Sequence, residues 1–173
     1  MIDYRESITR QLETFFPYIR GNYLASLIAV KGTPGPTELE GNLPFSGADG
    51  LALDKALSSL GWGFGSQNTR VWLGIIPTMP GYPELSPSEL RLICEVVDPL
   101  AIISLDESAR LALIRAFEPV RKTMASDFLP GAELWVLGRQ LVSVDGFEEA
   151  LCLESSKQKV WSQLKRCQPT TIR

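Results

Sequence analysis

KGTPGPTELEGNLPFSGADGLALDKALSSLG, residues 31–61, is the stretch whose reading decides the fold. It follows a continuous apolar run, Leu24 to Val30 (LASLIAV), which is the pattern of a strand buried on both faces. Periodicity alone does not separate such a strand from a buried helix, but the glycines and prolines that follow at once decide for the strand. The stretch closes in a helix from Gly50 to Leu60, with Leu51, Leu53, Ala56, Leu57 and Leu60 on its apolar face and Gly61 as its stop. A loop that leaves a strand and enters a helix N-terminus is where α/β proteins commonly bind anions and small planar ligands. Any chemistry of this chain is expected there.

The same grammar repeats on either side. Ile8, Leu12, Phe15 and Phe16 stand at helical spacing and predict an amphipathic helix over Tyr4 to Ile19, ending near Pro17. Beyond a turn-rich connector, GWGFGSQNT (61–69), Arg70 to Ile76 reads as the second strand, ended by Pro77. In the proline-dense loop PTMPGYPELSP (77–87), Ser86 is a capping serine and Pro87 a first helical residue; with Glu89 behind them, they open a helix to about Val97. Leu100 to Leu105 is the third strand, and Asp106 caps a helix through Phe117.

Glu118 to Gly131 reads as a loop or a short helix. Glu133 to Gly138 and Gln140 to Val144 form one bent strand, or a hairpin-like corner and a final strand. A last helix from Phe147 to about Arg166 turns Ala150, Leu151, Leu153, Val160, Trp161 and Leu164 inward, before a fraying tail (167–173). Strands alternating with helices imply right-handed βαβ units. The expected architecture is α/β: a three-layer α/β/α sandwich on a mostly parallel sheet of about four strands.

Composition bounds the function classes. The chain has 173 residues, 45% hydrophobic and 21% charged, with no linker, so a single domain over 1–173 with an ordinary core is expected. No apolar run approaches the ~20 residues of a membrane helix, and the N-terminus lacks the order of a signal peptide, so a cytoplasmic protein with no membrane partner is expected. There is no histidine, which removes His-dependent triads, the usual metal-ligand sets and the commonest general acid or base. Cys94, Cys152 and Cys167 are far apart and form no CxxC pair, so neither a metal nor an iron–sulfur cluster is expected, nor any other cofactor. Net charge is −3, and only Lys157, Lys159, Lys165, Arg166 and Arg173 form a basic stretch, a weak footprint for nucleic acid. A P-loop reading fails, because there is no GxxxxGK[ST] and Lys55 lies inside the helix.

Pro34-Gly35, Glu38, Pro44-Phe45-x-Gly47 and Gly50-x-x-Leu53-Asp54 stand in register with the first motif of another group of proteins. On these residues the chain resembles the uracil-DNA glycosylase superfamily, closest to its thermostable bacterial and archaeal branch. The likeness continues more faintly through Pro99 to Arg115, and again in Lys157, Lys159, Trp161, Leu164 and Lys165 of the last helix.

The resemblance implies a base-binding pocket. Phe45 matches the aromatic that stacks on the flipped base, Glu38 an acidic position beside the sugar, and the backbone at Thr33, Pro34 and Gly35 the pocket wall. On their own the same residues also read as a core plug (Phe45), a helix-end or surface acid (Glu38) and a plain turn (Pro34-Gly35).

The departures fall at the chemistry. Gly32 stands where the branch carries a Glu, and Ile75 where it carries the Asn that reads the pyrimidine; Ile75 cannot make those paired hydrogen bonds. The cluster cysteines are absent, and the His-Pro-Ser motif falls on Gly146-Phe147-Glu148. The expectation is a divergent family member without base excision, acting as a binding or assembly module linked to DNA metabolism, with DNA or a protein as partner. The alternative is an active glycosylase with a rearranged site, using Glu38, Asp49 or Asp145 to position water. If DNA binds, first-motif amides and the loop-tip residues Arg70 and Arg139 are its expected contacts.

Overall fold

The structure, a computed structural model, describes residues 3–63 and 70–169. Most of the expected connector (64–69) and the end of the tail (170–173) lie outside the described residues. Helix α1 (Tyr4–Leu12) runs into a 3-10 helix, Glu13–Tyr18, and strand β1 (Ile19–Gly21) follows. Then come β2 (Leu27–Val30), α2 (Pro36–Leu39), α3 (Ala48–Ser59), β3 (Leu73–Ile75) and α4 (Pro87–Val97). The chain continues through β4 (Ala101–Ser104), α5 (Glu107–Phe117), α6 (Met124–Asp127), β5 (Glu133–Val136), β6 (Arg139–Ser143), α7 (Phe147–Ala150) and α8 (Glu154–Leu164).

The sheet order is β1-β3-β2-β4-β6-β5, with β3, β2, β4 and β6 parallel and the two outer strands antiparallel to their neighbours. The α/β sandwich with a parallel centre is therefore present, with six strands rather than about four. The two additions are both edges. β1 is three residues long, too short to show an alternation, and it forms just past the expected helix end near Pro17, which lies in the 3-10 turn; its Ile19 pairs with Ile75. β5 and β6 are a hairpin rather than one bent strand, closed by Leu137 and Gly138, both at positive φ, the geometry that lets a two-residue turn follow the strand twist.

The helical stretch expected over 147–166 is two helices, because Leu153 is extended between them. β2, β4 and β6 are buried throughout, as runs covered on both faces should be. α4 and α5 cover one face. α3, α7 and α8 come together on the other; for α3 this follows from right-handed crossovers, because β2-α3-β3 and β3-α4-β4 run in opposite directions across the sheet.

That reversal of direction places the site. β2 is joined through α3 to β3 on one side, and β4 pairs with it on the other, so the loops leaving β2 and β4 diverge and open a crevice at their carboxyl ends. Asp106 ties the crevice together. Its carboxylate accepts the Ala109 amide at 2.7 Å, capping α5, and also the amides of Gly32 (3.0 and 3.1 Å) and Thr33 (3.0 Å) from the β2 loop. Thr78 Oγ1, after β3, donates to the Gly32 carbonyl at 2.5 Å.

Asp106→Ala should cost about 2–3 kcal/mol in urea unfolding, one cap plus two orphaned loop amides. A loss below about 1 kcal/mol would mean that the cap alone matters.

Candidate functional site

Lys31 is the first residue past β2, and its side chain is 3% exposed. An ammonium so buried needs partners, and it has carboxylates on several sides. Nζ lies 2.5 Å from Asp49 Oδ2, 3.0 Å from Glu38 Oε1 and 3.6 Å from Glu148 Oε2. Each acid comes from a different element: Glu38 from α2, Asp49 from the first turn of α3 and Glu148 from α7. Burial works to lower the Lys31 ammonium, but the hydrogen bonds and charges of Asp49 and Glu38 outweigh it and hold it above the usual lysine value.

Both carboxylate oxygens of Glu38 are engaged. Oε1 also accepts the Phe45 amide at 2.9 Å, and Oε2 accepts the Gly35 amide at 3.0 Å. Burial alone would raise this carboxyl, but Lys31 and the Phe45 amide bring it below the usual glutamate value. Glu148 is shifted the other way: burial raises it, and the charges of Asp49 and Glu38 add to the rise against the pull of Lys31.

Phe45 is fully buried. Its ring meets Trp72 edge-on at 5.2 Å and lies against the backbone of β3 at Gly74, where a Cβ would collide with it. Its backbone is left-handed (φ 56°), a costly state for a bulky residue. Glu38 holds it through the amide, and Arg70 Nη2 donates to its carbonyl. The Lys31 ammonium stands 5.2 Å from the ring centroid. No face of the ring is open to solvent.

Of the residues expected to frame a pocket, Thr33, Pro34 and Gly35 line an open cleft of about 370 Å3, facing Leu105, Phe147 and Glu148 across it. Gly146 caps α7 at the cleft's edge. Ile75 is fully buried in β3, its carbonyl accepting the Lys31 amide at 3.0 Å. Glu38 and Phe45 lie behind Lys31. Glu148 crosses the cleft at Gly35, so that a side chain there would have to displace its carboxylate.

Arg70 and Arg139 are not at exposed loop tips. Arg70 is 7% exposed, 4.7 Å from the Trp72 ring; Arg139 is 8% exposed, 2.7 Å from Asp98. Buried and engaged, neither is available to a phosphate backbone.

Two members of the site were missed from sequence. Lys31 read only as the start of a loop, and Glu148 only as a charge in the wrong motif. The signal for Lys31 was present: a lysine that directly continues a fully apolar strand enters the crevice end of a sheet, where it needs counter-charges.

Lys31→Met leaves buried acids uncompensated and should cost about 3–5 kcal/mol at neutral pH. Because the Glu38 carboxyl is depressed in the fold, the stability it contributes is present above the ordinary glutamate value and fades as pH falls through the folded one; the Lys31→Met deficit, measured by urea unfolding, should shrink along the same course. Glu148 carries the opposite sign. Its raised carboxyl favours the fold when protonated, so Glu148→Gln should raise the urea midpoint at neutral pH, the gain vanishing in acid below the ordinary glutamate value. A lowered midpoint at neutral pH would show the Glu148 charge to be net stabilising.

The chain matches no protein-family model and no curated protein.

Proposed function

We propose that this chain is a divergent uracil-DNA glycosylase-like protein that performs no base excision and acts as a binding or assembly module, its link to DNA metabolism resting on the first-motif resemblance. The observation that carries this reading is the Lys31–Glu38–Asp49 cluster at the inner end of the cleft. In the resemblance, Phe45 stacks an extruded base and Ile75 stands where an amide reads it. Here a fully buried Phe45 packs on Trp72, a fully buried Ile75 has no polar group to offer, and the cluster stands in front of Phe45.

Electrostatics support the same conclusion. Excision of a base leaves negative charge on the departing ring, and stabilising that charge is usually the largest catalytic contribution. The cationic group at this cleft is Lys31, already held by Glu38 and Asp49, while Glu148, Glu149 and Asp106 also line it. Developing negative charge would meet carboxylates.

The test is abasic-site formation on single- and double-stranded oligonucleotides carrying uracil, hypoxanthine or xanthine. No cleavage above a no-enzyme control is expected. Cleavage that disappears in Glu38→Gln would overturn the reading and restore an active, rearranged glycosylase. Retention of the same oligonucleotides without cleavage would mark DNA as the partner, and no retention at any salt concentration a protein partner.

A further inference from the structure

On the sheet face opposite α4 and α5, a groove runs between α3 and α8. Its walls are Ala52 and Ala56 from α3, Leu151, and Val160, Trp161 and Leu164 from α8, and its volume is about 200 Å3. Small-molecule pockets usually run ~300–1,000 Å3, so this one is sized for a single bulky side chain, the kind of anchor on which protein interfaces concentrate their energy. Ala52 and Ala56 keep the α3 wall low, and the Trp161 indole gives the α8 wall a flat apolar surface.

Charge around the groove runs against that of the chain. Net charge is −3, yet the exposed residues flanking these walls include Lys55 on α3, Lys157 on α8 and Lys165 at the C-cap of α8. Lys55 directly precedes Ala56 on α3 and is exposed. Lys157 lines the groove itself. The Lys165 ammonium lies 5.7 Å from the Trp161 ring centroid. Lys157 is paired with Glu154, 83% exposed and 3.2 Å away, an exposed pair that a better-placed acid can replace at little cost.

We propose that this groove docks an acidic amphipathic helix of a partner protein, one bulky apolar side chain filling the slot and flanking carboxylates meeting Lys55, Lys157 and Lys165. A helix fits because the slot is itself bounded by two helices, and an apolar floor between charged rims is the complement of an apolar stripe flanked by Glu or Asp. Nucleic acid is the other polyanion to weigh. It needs donors aimed along a phosphate track, whereas this floor is apolar. The groove shares the Phe147 wall with the cleft but none of its charged lining residues, so loss of base excision and loss of helix docking are read by separate assays.

The probe is a fluorescein-labelled synthetic helical peptide with a leucine stripe flanked by glutamates, titrated against the full chain by anisotropy. A matched peptide with lysine flanks and a single-stranded oligonucleotide serve as comparisons. The glutamate peptide should bind saturably, weaken as salt is raised, and exceed the lysine peptide by at least about tenfold in affinity. The triple charge reversal Lys55→Glu, Lys157→Glu, Lys165→Glu, which changes exposed side chains and leaves the core alone, should cost at least about tenfold. Trp161→Ala should weaken binding further.

Four results would overturn the proposal: no binding of the glutamate peptide, equal binding of both peptides, binding that survives the charge reversal, or oligonucleotide binding that the reversal abolishes. A dimer in sedimentation that the reversal dissolves would overturn it too, by making a second copy the occupant.

Discussion

A lysine ammonium held between two buried carboxylates at the end of the central strand is the contact on which the rest of the site depends. Lys31, Glu38 and Asp49 have side chains at most 3% exposed, so each charge has lost its water and is held by the others and, for Glu38, by the Gly35 and Phe45 amides. Such a cluster contributes little net stability compared with apolar residues of the same size, but it fixes geometry strongly, because any misplacement leaves a bare buried charge. What it fixes is the meeting of β2, α2 and α3. Glu38 also holds the Phe45 amide, so the left-handed backbone of Phe45, and through it the ring against Trp72 and Gly74, is set by the same carboxylate.

The sheet supplies the other constraint. With β2 and β4 adjacent and their connections diverging, a crevice at their carboxyl ends follows from topology, whatever residues line it. The residues then decide its character. Asp106, on the cleft wall, has its carboxylate bound by three backbone amides and so joins the two loops. Glu148 leans across to Gly35 and Lys31 and narrows the mouth. Scaffold and site therefore carry separate information, and the architecture does not by itself fix a chemistry.

Local rules made much of the fold legible. Ser86 and Glu89 form the reciprocal cap expected of them, Asp106 caps α5, and the apolar runs of β2 and β4 lie where they were read. What was not legible depends on partners distant in sequence. Three residues of β1 carry no pattern until β3 lies beside them. The interruption at Leu153 has no glycine or proline to announce it. The burial of Phe45 needs Gly74, Trp72 and Arg70, some 25 to 29 residues on, to come beneath and behind it. Lys31 finds its acids seven and 18 residues away, and no spacing rule connects them.

α7 shows how closely the parts are joined. This single turn, four residues long, sends Glu148 into the cleft and Ala150 into the groove between α3 and α8, while Phe147 is a wall of both. Its first amide donates to the Leu105 carbonyl at 2.9 Å, which pins the turn to the end of β4. A helix this short has no cooperativity of its own and takes its position from its contacts. One of those contacts is Lys31. The placement of the groove's shared wall is therefore set in part by the buried charge cluster, and the acidic cleft and the lysine-rimmed groove stand back to back across one aromatic side chain.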